Sequence, residues 1–170
     1  SLNKNLSDVA NIFISVARGF NQGGFNLNLG LASDSKNTNL YYDPEFLTNY
    51  EAGFNAQLFD SKMNIAAVIF YSYREDQQVL ISTQVDPSDP NTFSFLTQNA
   101  AQGINKGIEI NIDMQIEESL NFFARLGLLR TEINNWKSRP DLEGRAQAHA
   151  PKKSYALGMN WSITDKASLS

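Results

Sequence analysis

The sequence contains few residues that could carry out catalysis. His149 is the only histidine, it lies in a segment predicted to be a loop, and there is no cysteine. The sequence therefore predicts neither a Ser/His/Asp triad nor a Cys/His catalytic pair. A transition-metal site is also disfavoured. Glu117 and Glu118 are adjacent carboxylates in a predicted turn, where neighbours point to opposite sides. The sequence predicts no enzyme, no cofactor and no metal site.

Two further segments have residue types that bind anions or cations in other proteins. Residues 21–26, Asn-Gln-Gly-Gly-Phe-Asn, are glycine-rich, but neither a Lys-Ser/Thr pair nor a helix follows, as a phosphate loop requires. These glycines are explained by a backbone that leaves a strand with positive φ. The alternative is that they lie at the base of a loop, near a ligand. Residues 86–91, Asp-Pro-Ser-Asp-Pro-Asn, offer oxygens to a hard cation. Their two prolines fix turns, which explain the segment better.

A set of charged residues occupies positions that alternate with apolar side chains, and these charges are predicted to face inward: Arg18, Glu51, Arg74, Glu109, Asp113 and Arg125. Burying so many charges in a dry core would be costly, whereas a wet lumen tolerates them. Glu51, Glu109, Asp113 and Arg125 are accordingly predicted to line a lumen. One interpretation is a ladder of charges that contacts water or another domain, and the other is part of a substrate path.

Other residues are candidates for contact with a ligand because they lie in loops or near strand ends. Aromatic rings there could stack on an organic ligand, although a simple anchoring role is the alternative. The ligand-contact candidates are Arg18, Asn21, Gln22, Phe25, Tyr41, Tyr42, Arg74, Gln77, Phe93 and Phe95.

The elements that position these residues alternate polar and apolar residues. In residues 108–116, Ile-Glu-Ile-Asn-Ile-Asp-Met-Gln-Ile, a strand would have one wholly apolar face and one polar face. A period of two fits such segments better than the helical period of 3.6. Strands are predicted over residues 9–20, 46–59, 63–81, 105–116, 120–134 and 153–163, with a further strand starting at the end of the chain.

Short turns alternate with long connections. The turns are predicted at residues 60–62, 117–119 and 164–166, and the long connections at 21–45, 82–104 and 135–152. The strands reach the roughly 9–11 residues that cross a bilayer when tilted. This rhythm predicts an all-β fold, an antiparallel up-and-down meander of about six to seven long strands that is part of a larger transmembrane β-barrel. No apolar run reaches the roughly 18 residues of a membrane helix.

Other interpretations stay open from the residues alone. The net charge of −4, with no basic tract, argues against a nucleic-acid partner. A small soluble β-barrel or sandwich that binds an apolar ligand would show an apolar interior and a polar exterior. An isolated partial barrel would expose two strand edges, through which copies could self-associate.

Several short motifs, taken in order, resemble the TonB-dependent outer-membrane receptors. They are SVARGFNQGGFN at 15–26, YDPE at 42–45 with NYEAG at 49–53, FYSY at 70–73 with DQQV at 76–79, NAA at 99–101 with GIE at 107–109, and AHAP at 148–151. Each motif is short, but the ordered set spans most of the chain and matches the later strands of the receptor barrel.

The resemblance implies a plugged barrel of about 22 strands. Residues 1–170 would form a partial barrel domain, without the plug, the segment that contacts TonB, or the closing strands. The parent protein would lie in outer-membrane lipid of a Gram-negative bacterium, with the short turns in the periplasm and the long loops outside. With its plug and TonB, it would take up a scarce small-molecule substrate such as a ferric siderophore.

Overall fold

The computed structural model describes residues 1–26, 40–84, 86, 88–136, 139–164 and 167–169. These residues form the strands β1 Leu2–Ser7, β2 Ala10–Asn21, β3 Gly24–Phe25, β4 Tyr41–Tyr42, β5 Glu45–Leu58, β6 Met63–Gln84, β7 Phe93–Glu117, β8 Leu120–Asn135, β9 Lys153–Thr164 and β10 Ala167–Leu169. A single turn of 3-10 helix, Pro140–Leu142, lies between β8 and β9. Within the described ranges, no helix is both long enough and apolar enough to span a membrane.

The strands form an antiparallel meander. Eight of them build one sheet in the order β1-β2-β5-β6-β7-β8-β9-β10, and β3 pairs with β4 in a separate ribbon. In the described part of the chain β1 and β10 do not pair with each other, so the sheet is open. The predicted all-β meander is confirmed, and its open sheet differs from the small closed barrel or sandwich that was the alternative.

The strand register places apolar side chains in rows on one face of the sheet. One row runs from Ile14 through Ala52, Ile69 and Ile108 to Leu128, across β2, β5, β6, β7 and β8. Ile14 is 59% exposed and Ile69 is 56% exposed. We call this side of the sheet the apolar face.

The opposite side carries amides and charges. Asn11, Asn55, Ala66, Asn111 and Arg125 lie side by side on the same five strands. The side-chain amide of Asn55 donates a hydrogen bond to Asn11 Oδ1 at 3.1 Å. We call this side the polar face.

The sheet has almost no dry core of its own. Among the described residues, the buried apolar side chains are Ala56, Leu96 and Ala101, and no large side chain is fully buried. Strands of a soluble sandwich bury their apolar faces against each other, whereas here the apolar face is the exposed one. The described residues therefore do not supply the cover that the apolar face of a soluble sandwich has.

Aromatic rings cover glycines on the polar face. Phe13 lies opposite Gly53, Phe70 opposite Gly107, and Phe123 opposite Gly158. A Cβ added to any of these glycines would lie within 2.1 to 2.7 Å of the ring of its partner. These cross-strand pairs pack ring against backbone on the polar face, a means of stabilising glycine in strands.

Two strand predictions require correction. The predicted long connection 82–104 is largely strand, because β6 continues to Gln84 and β7 already begins at Phe93. Between Arg74 and Gln78 the register shifts, and Asp76 adopts a φ of 53°. On β7 the partners of Gln77 and Gln78 are Ala101 and Asn99, so this irregularity interrupts the alternation of β7 just before residue 105, where that strand was predicted to begin. Residues 2–7 also form a strand of their own, β1.

Candidate functional site

Polar side chains converge on the polar face near the end of the sheet that carries the long connections. Arg74 and Gly103 are cross-strand partners on β6 and β7. A Cβ added to Gly103 would lie 2.8 Å from Gln147 Nε2 and 3.3 Å from Gln77 Oε1, so both amide side chains cover this glycine. We call Arg74, Gln77, Asn105 and Gln147 the Arg74 cluster.

The β8–β9 connection contributes Gln147 to this cluster through a specific contact. Its backbone N–H donates to Thr131 Oγ1 at 2.9 Å. Thr131 is buried and is the cross-strand partner of Asn105. The connection is therefore anchored over the polar face at the position where Asn105 lies.

Buried polar atoms of the Arg74 cluster lack hydrogen-bond partners within the described residues. They are Arg74 Nε, Asn105 Oδ1 and Gln147 Nε2. Buried polar groups in folded proteins are nearly always paired, and leaving one unpaired costs about 1–3 kcal/mol. Two donors and one acceptor are thus available at this place for a ligand, another domain or water.

Glu45 partly neutralises Arg74. Arg74 Nε lies 3.4 Å from Glu45 Oε1, and the two side chains are 32% and 12% exposed. The pair is close enough for charge attraction, but its geometry does not make a hydrogen bond. The other oxygen, Glu45 Oε2, accepts the backbone N–H of Gln78 at 3.0 Å. Glu45 therefore supports the bulge and leaves donors of Arg74 available.

Glu51 is held in a hydrogen-bonded network on the polar face. Asn49 Nδ2 donates to Glu51 Oε1 at 2.7 Å, and the Ser15 hydroxyl donates to Glu51 Oε2 at 3.3 Å. The hydroxyl of Ser72, which is buried, donates to Asn49 Oδ1 at 2.6 Å. Both carboxylate oxygens are occupied, an arrangement that suits a structural ladder.

The register also places Glu109, Asp113 and Arg125 on the polar face. Arg125 Nη2 forms an ion pair with Asp113 Oδ1, and its Nη1 donates to the carbonyl of Ile112 at 2.7 Å. The guanidinium also lies 5.6 Å from the centre of the Phe123 ring. Glu109 is exposed beside Arg125.

Arg18 lies on the other face from the one predicted. It follows Ile14 and Val16 on β2 with the same parity, so it belongs to the apolar face. Its Nη2 lies 3.2 Å from Glu75 Oε2, and its guanidinium is 4.7 Å from the centre of the Phe46 ring. The inward prediction was wrong because a charge at a strand end was assigned to the polar face by residue type and not by position.

Asn21 and Gln22 serve as anchors of the first connection. Asn21 Nδ2 donates to Gln78 Oε1 at 2.9 Å. Gln78 Nε2 donates to the carbonyls of Gln22 at 2.8 Å and Asp43 at 3.0 Å. Asn99 Nδ2 also donates to the Asp43 carbonyl at 2.8 Å.

The aromatic candidates fall into two groups. Phe25 and Tyr41 are cross-strand partners in the β3–β4 ribbon, with ring centres 4.9 Å apart in an edge-on arrangement, and Tyr42 lies over Gly24. Phe93 and Phe95 are on β7 and are about half exposed. They lie on a strand and not in the predicted loop. Residues 27–39 of the first connection lie outside the described residues.

The described part of residues 86–91, for which cation binding was the less favoured interpretation, closes a turn through its own side chains. The hydroxyl of Ser88 donates to Asp86 Oδ1 at 2.6 Å and its backbone N–H donates at 2.8 Å. These hydrogen bonds, the hydroxyl one first, lower the pKa of the Asp86 carboxyl. Asp86 therefore closes a turn, and Pro87 lies outside the described residues.

Asn105 and Gln147 were missed by the sequence analysis. Asn105 stands at the start of a predicted strand and Gln147 in a predicted loop, with nothing local to mark either. One signal was present: Gly103 and Gly107 interrupt an otherwise regular β-strand, and glycine in a strand marks close approach by another group.

Comparison with known proteins identifies the family. The family model "TonB dependent receptor-like, beta-barrel" matches residues 2–168. No curated protein matches the sequence. Among solved structures, the ferric yersiniabactin uptake receptor FyuA from Yersinia pestis is 18% identical, with a TM-score of 0.70, and 98% of this chain aligns to 23% of that one.

Two other solved structures have similar folds. The siderophore receptor PiuA from Acinetobacter baumannii is 21% identical with a TM-score of 0.67 over 95% of this chain and 23% of its own. BauA, the ferric preacinetobactin receptor of the same organism, is 18% identical with a TM-score of 0.65 over 96% and 22%. This chain spans less than a quarter of the length of each receptor named here. The matching family is a family of receptors and not a class of enzymes. The chain belongs to the TonB-dependent receptor family and forms part of its β-barrel.

Proposed function

We propose that this chain is a segment of barrel wall in an outer-membrane receptor for TonB-dependent uptake of a scarce nutrient, specifically a ferric siderophore. The family match over residues 2–168 carries the proposal. The solved receptors FyuA, PiuA and BauA are receptors for siderophores or their ferric complexes by name, which supports this substrate class.

In this proposal the polar face lines the lumen, opposite a plug domain elsewhere in the receptor. Glu51, Glu109, Asp113 and Arg125 share that face. The occupied oxygens of Glu51 and the Arg125–Asp113 pair support the ladder interpretation over a substrate path. The apolar face contacts lipid of the Gram-negative outer membrane. The short turns lie in the periplasm, as barrels of this class have them.

The Arg74 cluster is the proposed contact for substrate. A guanidinium donates several hydrogen bonds to anionic oxygens. The cluster combines Arg74 with Asn105 Oδ1 and Gln147 Nε2, two buried amide atoms without a partner among the described residues. It lies where the long connections leave the sheet, between an external ligand and the lumen. Asn21 and Gln22 hold the first connection in place beside it.

The test is uptake of radioactive iron by cells that depend on the full-length receptor, supplied with a panel of ferric siderophores. Uptake of at least one complex should require the receptor and TonB. Arg74→Gln should lower affinity for that complex by about tenfold or more, since a charge-assisted hydrogen bond is worth roughly 1.5–3 kcal/mol.

Arg18→Gln is the matched control, because it removes the same charge from the apolar face. It should leave substrate affinity unchanged. If no ferric siderophore enters through the receptor, the proposed substrate class is wrong. Equal losses in Arg74→Gln and Arg18→Gln would instead show that the Arg74 cluster is not the contact.

A further inference from the structure

Glu45 is held in place beside the Arg74 cluster. Its Oε2 accepts the backbone N–H of Gln78 at 3.0 Å, and its side chain is only 12% exposed. Two residues earlier, the Asp43 carbonyl accepts hydrogen bonds from Gln78 Nε2 at 3.0 Å and from Asn99 Nδ2 at 2.8 Å. The chain before Glu45 is therefore tied to β6 and β7, and the carboxylate turns into solvent only if its bond to the bulge breaks.

The other carboxylate oxygen of Glu45 faces Arg74. Glu45 Oε1 lies 3.4 Å from Arg74 Nε, close enough to attract its charge without forming a hydrogen bond. Charges at such a distance interact more strongly where water is largely excluded. A ligand oxygen that binds Arg74 also comes close to Glu45, so the carboxylate repels any negative charge that the ligand carries.

The site as a whole has little net charge. Arg74 and Glu45 contribute one charge of each sign, and the other members of the Arg74 cluster are neutral amides. Among the described residues, the buried atoms without partners are two donors, Arg74 Nε and Gln147 Nε2, and one acceptor, Asn105 Oδ1. Such donors and acceptors pair with neutral polar groups as well as with anions. A ligand of high negative charge would meet a guanidinium whose charge is already shared with Glu45.

We propose that Glu45 makes the site selective for ferric complexes of low net charge, because it competes with ligand anions for Arg74. The inference deepens the proposed function and rests on it. The iron-bound oxygens of a neutral trihydroxamate complex accept hydrogen bonds from Arg74 without bringing net negative charge against Glu45. A trianionic tris-catecholate complex brings such charge, and the fixed carboxylate opposes its approach.

Binding of two ferric complexes to the purified full-length receptor tests this proposal. The probes are a neutral ferric trihydroxamate and a trianionic ferric tris-catecholate, titrated separately at the same ionic strength. The wild-type receptor should bind the trihydroxamate more tightly. Glu45→Gln keeps an oxygen that can accept the Gln78 N–H but removes the charge. It should tighten binding of the tris-catecholate about tenfold and change binding of the trihydroxamate by less than about twofold.

Glu75→Gln is the matched control. Glu75 is the cross-strand partner of Phe46, the residue that follows Glu45, and it pairs with Arg18 on the apolar face. The variant removes the same charge at the same level of the sheet but from the other face, so the ratio of the two affinities should not change. The proposal is overturned by a wild type that prefers the tris-catecholate, by an unchanged ratio in Glu45→Gln, or by equal changes in both variants.

A measurement without any siderophore separates failure of this proposal from failure of the proposed function. Phenylglyoxal modifies arginine side chains, and mass spectrometry follows the adduct on Arg74. Arg74 should react about threefold faster in Glu45→Gln than in Glu75→Gln, because a partly exposed ion pair no longer holds its guanidinium.

The two measurements together give distinguishable outcomes. If a complex binds but the affinity ratio is the same in Glu45→Gln, this inference fails and the uptake function stands. If neither complex binds, these substrate classes fail, and the labelling decides the inference. Faster labelling in Glu45→Gln would then support competition by Glu45 for Arg74, and equal labelling in both variants would overturn it.

Discussion

The two faces of this sheet are built from the same strands, yet they are organised by different rules. On the apolar face, side chains such as Ile14, Ile69 and Leu157 remain 56–69% exposed and have no polar partners to satisfy. On the polar face, Glu51 has both carboxylate oxygens occupied, and rings such as Phe13 cover glycines opposite them. One face needs only apolar character, whereas the other depends on particular pairs.

This difference predicts which substitutions each face of the sheet will tolerate. In the proposed receptor the apolar face contacts lipid, and a row there accepts any apolar side chain of suitable size because lipid adapts to its shape. A row of paired side chains does not adapt, since each partner loses a specific contact. The same added charge, or the same added methyl group, should therefore have opposite consequences on neighbouring residues.

The largest effect is expected from a charge placed on each face in turn. Ala67 lies between Phe54 and Ile110 on the apolar face, and its neighbour Ala66 lies between Asn55 and Asn111. Ala67→Lys should destabilise the full-length receptor by about 2–4 kcal/mol, the usual cost of a lysine at the bilayer midplane. Unfolding by denaturant in lipid vesicles measures this cost.

Ala66→Lys is the control for that measurement, because it adds the same side chain one residue away on the polar face. Its cost should stay below about 1 kcal/mol. A large cost at Ala66 and a small cost at Ala67 would reverse the assignment of the two faces.

The next largest effect concerns the glycines of the polar face. In Gly53→Ala the new Cβ would meet Phe13 Cε1 at 2.1 Å. The ring must move, and overpacking of this kind typically costs about 1–3 kcal/mol. Gly19→Ala on β2 is the control, since no atom lies within 4 Å of its added Cβ. It should be neutral or stabilise the receptor by up to about 1 kcal/mol. Equal stability of both variants would contradict the ring-over-glycine packing.

A smaller and local effect is expected where the first connection meets the sheet. Asn99 Oδ1 accepts the N–H of Asp43 at 2.6 Å, and its Nδ2 donates to the Asp76 carbonyl at 2.8 Å. Asn99→Ala should weaken this anchor by about 1 kcal/mol, the usual net value of a hydrogen bond. Hydrogen exchange at the Asp43 amide should accelerate about fivefold or more. Asn121→Ala, near the tight turn at the start of β8, should leave that amide unchanged.

The smallest effect concerns the Arg125–Asp113 pair. Their side chains are 39% and 52% exposed in this sheet. A double-mutant cycle with Arg125→Gln and Asp113→Asn should give a coupling below about 1 kcal/mol that weakens with salt, as exposed ion pairs do. A coupling above about 2 kcal/mol would show that another part of the receptor buries the pair, which would sharpen the contrast between the faces.

Much of the fold followed from alternation alone. Period-two segments located β5, β8 and β9 within a residue or so of their observed limits. The prediction failed over much of residues 82–104, because the register of β7 shifts between Asn99 and Gly103 and breaks the alternation on which the prediction relied. It failed again at Arg18, because the face on which a side chain lies is set by its position along the strand and not by its charge.

The candidate site was predicted only in part. Arg74 and Gln77 were named from the sequence, but Asn105 and Gln147 were not. Gln147 belongs to a connection some 70 residues farther along the chain than Gln77, and only the hydrogen bond to Thr131 brings it over Gly103. No local pattern records a contact between segments so distant in sequence.

The sequence by itself determined that the chain is a meander of long strands with one apolar side, because side chains alternate across a strand whatever surrounds it. The tertiary structure decided which residues share a row, since register is a relation between strands and not within one. That relation placed Arg18 on the apolar face, assembled the Arg74 cluster and set Lys106 opposite Arg130. Alternation is a local consequence of backbone geometry, whereas register depends on hydrogen bonds between distant segments.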